Sequence, residues 1–282
     1  MAKAFVSGIG WAELQSKAVD IIDNGSIDIL PDGGNVLGKV TVNTNVPHYD
    51  DGYEAGKQAE RNAFWDAVLT DASMATSQEL FAGRGWNDTT FYPTKDIIPR
   101  GNASRLFFLN QVTNLKQRLI NCGVVLNLAS CTNISNLFTY AATAELPEIS
   151  TVGANTISQT LANCPNLITI DKLVLRNDGS QTFSFPFYET KNIENITIEG
   201  VIGQNGFDLS SCTKLSKASI TSVMNALDTN TYDDSRSVTI SKAAIDKAFE
   251  ETEGANNGSD SSEWIILYAN AHNHGGWSVV HA

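Results

Sequence analysis

One phrase occurs twice in this chain of 282 residues: Leu126-Asn-Leu-Ala-Ser-Cys-Thr-Asn-Ile134 and Phe207-Asp-Leu-Ser-Ser-Cys-Thr-Lys-Leu215. A looser relative, Leu161-Ala-Asn-Cys-Pro-Asn-Leu-Ile-Thr-Ile170, lies between them. Two apolar residues flanking a polar one, a small polar corner, a cysteine and a closing Leu or Ile describe a short strand that turns sharply and buries a thiol. Repetition of such a unit constrains the fold strongly. One unit cannot bury its apolar face alone, so neighbouring units must cover it and both ends of the stack need caps.

The spacing points the same way. Apolar anchors recur at Leu126, Ile149, Leu173 and Ile196, at intervals of 23, 24 and 23 residues, within the span of about 20 to 29 residues typical of leucine-rich repeats. The segments between anchors, such as Thr151 to Thr160 and Lys191 to Asn195, are rich in Asn, Thr and Ser, which bond nearby backbone where a chain leaves a strand. The expected fold is therefore an α/β leucine-rich-repeat solenoid over residues 105–215. Within it, Val152-Gly-Ala-Asn-Thr-Ile-Ser-Gln-Thr-Leu-Ala-Asn-Cys-Pro-Asn-Leu-Ile-Thr-Ile170 resembles the repeat of BspA-like bacterial leucine-rich proteins, whose frame reads "IG…AF…C.NL..I". The cysteine, the Asn-Leu and the following strand match, whereas Thr156-Ile157 stands in place of Ala-Phe.

The chain has four cysteines. Cys131, Cys164 and Cys212 are expected at equivalent repeat positions, stacked as a column of small buried hydrophobes, with Cys122 packed just ahead of the first phrase. No C-x-x-C pair occurs and no histidine accompanies the three, so neither a disulfide framework nor a zinc site is expected.

A hydrophobic content of 42% belongs to an ordered protein, and the net charge of −12 is spread along the chain. No basic cluster is present to contact phosphate, so neither nucleic acid nor an anionic membrane is an expected partner. Met1-Ala-Lys-Ala-Phe5 begins no apolar run of signal-peptide length, and no stretch reaches the roughly 18 apolar residues of a membrane span. The expected place of work is the cytoplasm, or a particle assembled there and released by lysis.

Residues 19–46 alternate short β-prone runs with Asn24-Gly25 and Pro31-Asp32-Gly33-Gly34 turns, the pattern of a small hairpin module. With Gly38-Lys-Val-Thr-Val-Asn-Thr44, this segment resembles a "PD.G..G..KVTVNV" module of structural and tail-associated proteins of bacteriophages and prophages. A helix follows over Tyr49–Val68. Gly52, Gly56, Ala59, Ala63 and Ala67 share one of its faces, as a seat on the first coil or as the seam of a homo-oligomer such as a trimer. Phe81, Trp86, Phe91 and Tyr92 come next, broken by Gly83, Gly85 and Pro93. They read either as a satellite core or, through Trp86, Phe91 and Tyr92, as an exposed aromatic surface. Beyond the second Ser-Cys-Thr, Ser216 and Ser241 precede helical patterns, Ser261–Tyr268 reads as a third helix, and Arg236–Ile240 and Trp277–Val280 read as strands. The wording of this region and of the Tyr49–Val68 segment is similar to that of the same phage-associated proteins.

The expected organisation is an N-terminal β-rich attachment module at 1–48, a helix and aromatic loop at 49–104, the solenoid at 105–215 and an α/β cap at 216–282. No Gly-x-Ser-x-Gly, phosphate-binding Gly-Lys-Ser/Thr or His-Glu-x-x-His pattern occurs. His272 and His274 are expected in a solvated loop, Asp50-Asp51 and Asp233-Asp234 lack calcium-loop spacing, and no cofactor is expected. Together these resemblances imply a non-enzymatic virion component of the tail or baseplate, held to other virion proteins through its N-terminal region. Its partner would be a host-surface glycan or protein. A BspA-like surface adhesin and a carbohydrate-active enzyme with paired carboxylates are the alternatives.

Overall fold

A computed structural model describes residues 49–250 and 262–282, with side chains from Gly56 onward. Before them it describes the backbone of five strands between residues 3 and 41. Contacts divide the chain into two units, residues 1–60 and 61–282.

In the first unit, β1 (Lys3–Val6) and β2 (Gly10–Glu13) pair antiparallel. The strands β3 (Ile21–Ile22), β4 (Ser26–Ile29) and β5 (Gly38–Thr41) form an antiparallel sheet in that order. The Asn24-Gly25 and Pro31–Gly34 turns lie outside the described residues.

The second unit is mixed α/β, built from small parallel sheets in which successive passes of the chain lie side by side. The strands β8 (Glu145–Ser150), β10 (Thr169–Val174) and β12 (Asn195–Glu199) form one sheet with β10 central. After each of the first two, the chain turns into a second short strand, β9 (Thr156–Ser158) and β11 (Thr182–Ser184), and these also pair in parallel. β6 (Gly101–Asn102) and β7 (Cys131–Asn133) pair earlier in the chain. β13 (Asp208–Leu209), β14 (Ser237–Ile240) and β15 (Ser278–His281) form a parallel sheet later.

The anchor register differs from the expected one at two places. Ile149 pairs with Leu173, but a bulge in β10 sets Leu173 against Ile198 and leaves Ile196 opposite Ile170. Leu126 bridges Ile97 on a separate ladder. Ile170 and Leu173 are three residues apart and would face opposite sides of a regular strand; the bulge between them turns both to the buried side, opposite Ile196 and Ile198, which share a face at a spacing of two.

Among the described residues there are six helices: α1 (Tyr49–Val68), α2 (Asp71–Ala75), α3 (Leu115–Cys122), α4 (Lys217–Asn225), α5 (Lys242–Ala248) and α6 (Ser262–Gly275). Local chemistry fixes their ends. Thr70 and Ser73 form a reciprocal capping box on α2, Asn114 caps α3 and Gly123 closes it in the left-handed conformation, and the Ser216 hydroxyl accepts from Ser219 N–H to start α4. His272 and His274 fall in the last turn of α6 and not in a loop; both are exposed.

A single apolar core runs from Trp65 to Val279 without a break at residues 104/105 or 215/216. Buried Asn, Thr and Gln side chains bond backbone carbonyls of the neighbouring passes. Asn110 Nδ2 donates to Phe81 O at 3.0 Å, Thr139 Oγ1 to Gln159 O at 2.6 Å, and Gln181 Nε2 to Thr151 O at 2.7 Å and Ala154 O at 2.9 Å. This is why segments so rich in polar residues can lie against a dry core.

Candidate functional site

Five segments of the second unit share one geometry: Glu79–Gly83, Arg105–Leu109, Asn136–Tyr140, Gln159–Asn163 and Phe185–Glu189. Each begins and ends on a residue with positive φ. In the first four, the N–H groups of the first, third and fifth residues donate to carbonyls of the next pass. Arg105, Phe107 and Leu109 bond Ser135, Leu137 and Thr139; Asn136, Phe138 and Tyr140 bond Ser158, Thr160 and Ala162; Gln159, Leu161 and Asn163 bond Ser184, Pro186 and Tyr188. The two left-handed residues bend the chain outward at each end, so the central residue points inward. Phe81, Phe107, Phe138, Leu161 and Phe187 are all fully buried, and Phe107 stacks on Phe138 at 5.2 Å.

The outer side of this ridge carries aromatic rings. Tyr140 is 48% exposed, Phe185 57% and Tyr188 50%. Phe108 meets Tyr140 edge-on at 5.8 Å, and Arg105 lies over the Phe108 ring at 4.2 Å while bonding Glu79 at 2.6 Å. Phe185 and Tyr188 meet edge-on at 6.3 Å. Gln159 and Asn163 end the pass between the two aromatic pairs, and Asn136 begins the pass that ends on Tyr140.

The exposed face of the β8–β10–β12 sheet is different in kind. Lys116 bonds Asp171 at 2.7 Å and lies 3.8 Å from Glu145; Lys172 lies between Glu148 at 3.5 Å and Glu199 at 2.8 Å. The hydrogen bond to Asp171 raises the Lys116 pKa, and the one to Glu199 raises that of Lys172. The carboxylates of this face are thus interleaved with ammonium groups. Among the described residues three carboxyls depart clearly from the ordinary value. Bonds from the Ser180 backbone and hydroxyl lower Asp178, and the Ser235 hydroxyl lowers Asp233. At Asp228 burial pushes upward but is outweighed by bonds from Asn230 and Arg236. All three shift opposite to the direction a general acid needs. Among the described residues no three His, Cys, Asp or Glu side chains group as metal ligands. A groove of about 590 Å³ opens beside β8, lined by Leu119, Ile120, Val125, Leu126 and Pro147 with Glu148 at its rim.

The residues singled out from sequence are placed as follows. Cys131, Cys164 and Cys212 are all fully buried, but they do not form one column. Cys164 and Cys212 flank Thr190: Cys164 N–H donates to Thr190 Oγ1 at 3.2 Å and the Cys212 thiol to Thr190 O at 3.2 Å. Cys131 stands at an earlier corner, opposite Gly101 in the β6–β7 ladder, with its thiol on Pro99 O at 3.3 Å. A small weak donor that needs only a nearby carbonyl fits either corner, so the shared phrase fills two structural positions. Desolvation pushes each of the three thiols up to about 12. Cys122 is half-buried at the end of α3, where burial also raises it.

Gly56, Ala59, Ala63 and Ala67 are exposed, so the small-residue face is not the seat of α1 on the core; Gly52 lies outside the residues whose side chains are described. The face that packs carries Trp65 and Leu69, which bury far more apolar area than alanines. Phe91 is fully buried against Trp65 at 5.6 Å and Phe81 at 5.3 Å, which removes it from an aromatic surface. Trp86 is half-buried in the same cluster, and Tyr92 is half-buried with Arg118 over its ring at 4.4 Å. This cluster belongs to the continuous core and is not a satellite.

Comparison with protein-family models, with curated proteins and with solved structures finds no match.

Proposed function

We propose that this protein is a non-enzymatic recognition component of a bacteriophage or prophage particle, associated with its tail or baseplate. In this reading the passes of residues 105–215 are the coils of a degenerate BspA-like leucine-rich solenoid, and the N-terminal region joins other virion proteins. The observation that carries the reading is the ridge. Its backbone is held by main-chain bonds between passes and its inward residues fill the core, so its outward side chains are free to serve a ligand. The salt-bridged carboxylates of the sheet face and the lowered carboxyl pKa values favour binding over hydrolysis.

Mass spectrometry of particles purified from a strain that carries the gene tests this. Peptides of the chain are expected at the abundance of a structural component, and their absence from particles would sink the reading.

A further inference from the structure

Resting on this recognition reading, we propose that the ridge around Tyr140, Phe185 and Tyr188 binds a neutral glycan chain running along the direction in which the passes stack. Tyr140 and Phe185 occupy ridge ends with φ of 62° and 50°. Bulky side chains rarely adopt this conformation, and strain of this kind concentrates at functional sites. Of the other eight ridge ends, Gly83, Asn136 and Asn163 accept it readily, whereas Glu79, Arg105, Leu109, Gln159 and Glu189 are held there by the hydrogen bonds between passes. The backbone therefore gives no reason for an aromatic residue at either position. Packing gives little: both rings are about half exposed, as is Tyr188, and each meets one aromatic neighbour edge-on, Tyr140 with Phe108 and Phe185 with Tyr188. Backbone strain and apolar exposure thus coincide at these two ridge ends, against a single edge-on ring contact for each.

The chemistry around them selects the ligand. Exposed aromatic faces suit the C–H faces of sugar rings, and the amides of Asn136, Gln159 and Asn163 offer both donors and acceptors to hydroxyl groups. The ridge's formal charges are paired: Arg105 with Glu79, and Glu189 with Lys191 at 2.7 Å. An uncharged ligand therefore leaves no ion unpartnered. Tyr140 N–H bonds Ala162 O and Asn163 N–H bonds Tyr188 O, so Tyr140 and Tyr188 are two passes apart. At about 4.8 Å per pass this is roughly 10 Å, the reach of a disaccharide unit, with Asn163 between the rings.

Affinity electrophoresis of the full chain through gels containing mannan, β-1,3-glucan, galactan or starch, with alginate as the acidic comparison, tests the site. At least one neutral polysaccharide is expected to retard the wild-type chain. The double variant Tyr140→Asn/Phe185→Asn, and separately Tyr188→Ala, should weaken that retardation at least tenfold while Tm stays level or rises. Retardation by no neutral polysaccharide, by alginate alone, or undiminished in the variants overturns the proposal. A fall in Tm alongside the lost binding assigns the rings to the fold and overturns it as well. The particle measurement is independent: presence in particles without glycan retardation removes this site and leaves the recognition reading, and the opposite pair of results does the reverse.

Discussion

Arg236 is buried in the second unit and works as a staple. Its guanidinium bonds Asp228 Oδ2 at 2.9 Å, donates to the carbonyls of Thr231 and Gly275, and lies 4.7 Å from the centre of the Trp277 ring. Removing one partner of such a pair strands the other charge, so Arg236→Ala should destabilise by about 3 kcal/mol, read from urea unfolding. Asp228 is held below its ordinary value, so its contribution is present above pH 4 and is lost as acid carries pH down through its folded pKa. The three buried thiols act at the other end of the scale. Their pKa is raised from 9.0 to about 12, so the stability they carry is complete below pH 9 and falls as pH rises from 9 toward 12. Urea midpoints should be level up to pH 9 and then decline, less steeply in a Cys131→Ala/Cys164→Ala/Cys212→Ala chain. Thiol reagents at pH 8 should modify Cys122 first and the other three only on unfolding. Burial of the cysteines was legible from the apolar residues around them. Their corners were not, because one local turn serves in two different ladders: Cys131 N–H closes on Leu128 O and Cys212 N–H on Leu209 O, three residues back in each case.

At the scale of elements, α4 shows how this fold manages an edge strand. β12 would otherwise present unpaired backbone donors; instead Ile196 N–H donates to Ser219 Oγ at 2.9 Å and Ile198 N–H to Ser222 Oγ at 2.8 Å. Ser222→Ala leaves the Ile198 donor unpartnered in a part-buried place, which should cost about 1–3 kcal/mol and speed exchange of that amide relative to Ile170. An Ile198 amide that keeps its protection in the variant would show that water replaces the hydroxyl without loss. The C-terminal helices were legible because Ser216, and the Ile220, Val223 and Met224 stripe behind it, state both a start and a buried face. The ridge was not legible. Its positive-φ ends include Glu79, Arg105, Leu109, Tyr140, Gln159, Phe185 and Glu189, residue types with no preference for that conformation, so tertiary hydrogen bonds impose what propensity opposes. The bulge in β10 is invisible for a related reason, since regular spacing of Ile149, Leu173 and Ile196 predicts a register the buried Ile198 overrides.

At the scale of the second unit, a core continuous from Trp65 to Val279 couples passes far apart in sequence. The slowest-exchanging amides of Phe81–Phe107 and those of Val238–Ile240 should therefore converge on one opening free energy in native-state hydrogen exchange. A lower ceiling at either end would divide the unit into separately opening parts, as in a chain of independent repeats. The exposed ion pairs contribute little to this total: Lys172→Ala, although it breaks contacts to both Glu148 and Glu199, should change stability by less than about 1 kcal/mol.

The ridge bonds share one more property, their sense. From Glu79 to Asn163, each N–H of the ladder donates to a carbonyl later in the chain. The peptide dipoles in this line consequently add instead of cancelling, much as they do along a helix, with the positive end toward Glu189. The ridge is electrically directional. A ligand whose two ends differ meets a different potential in each orientation, so the backbone itself distinguishes one direction of travel along the stack from the other.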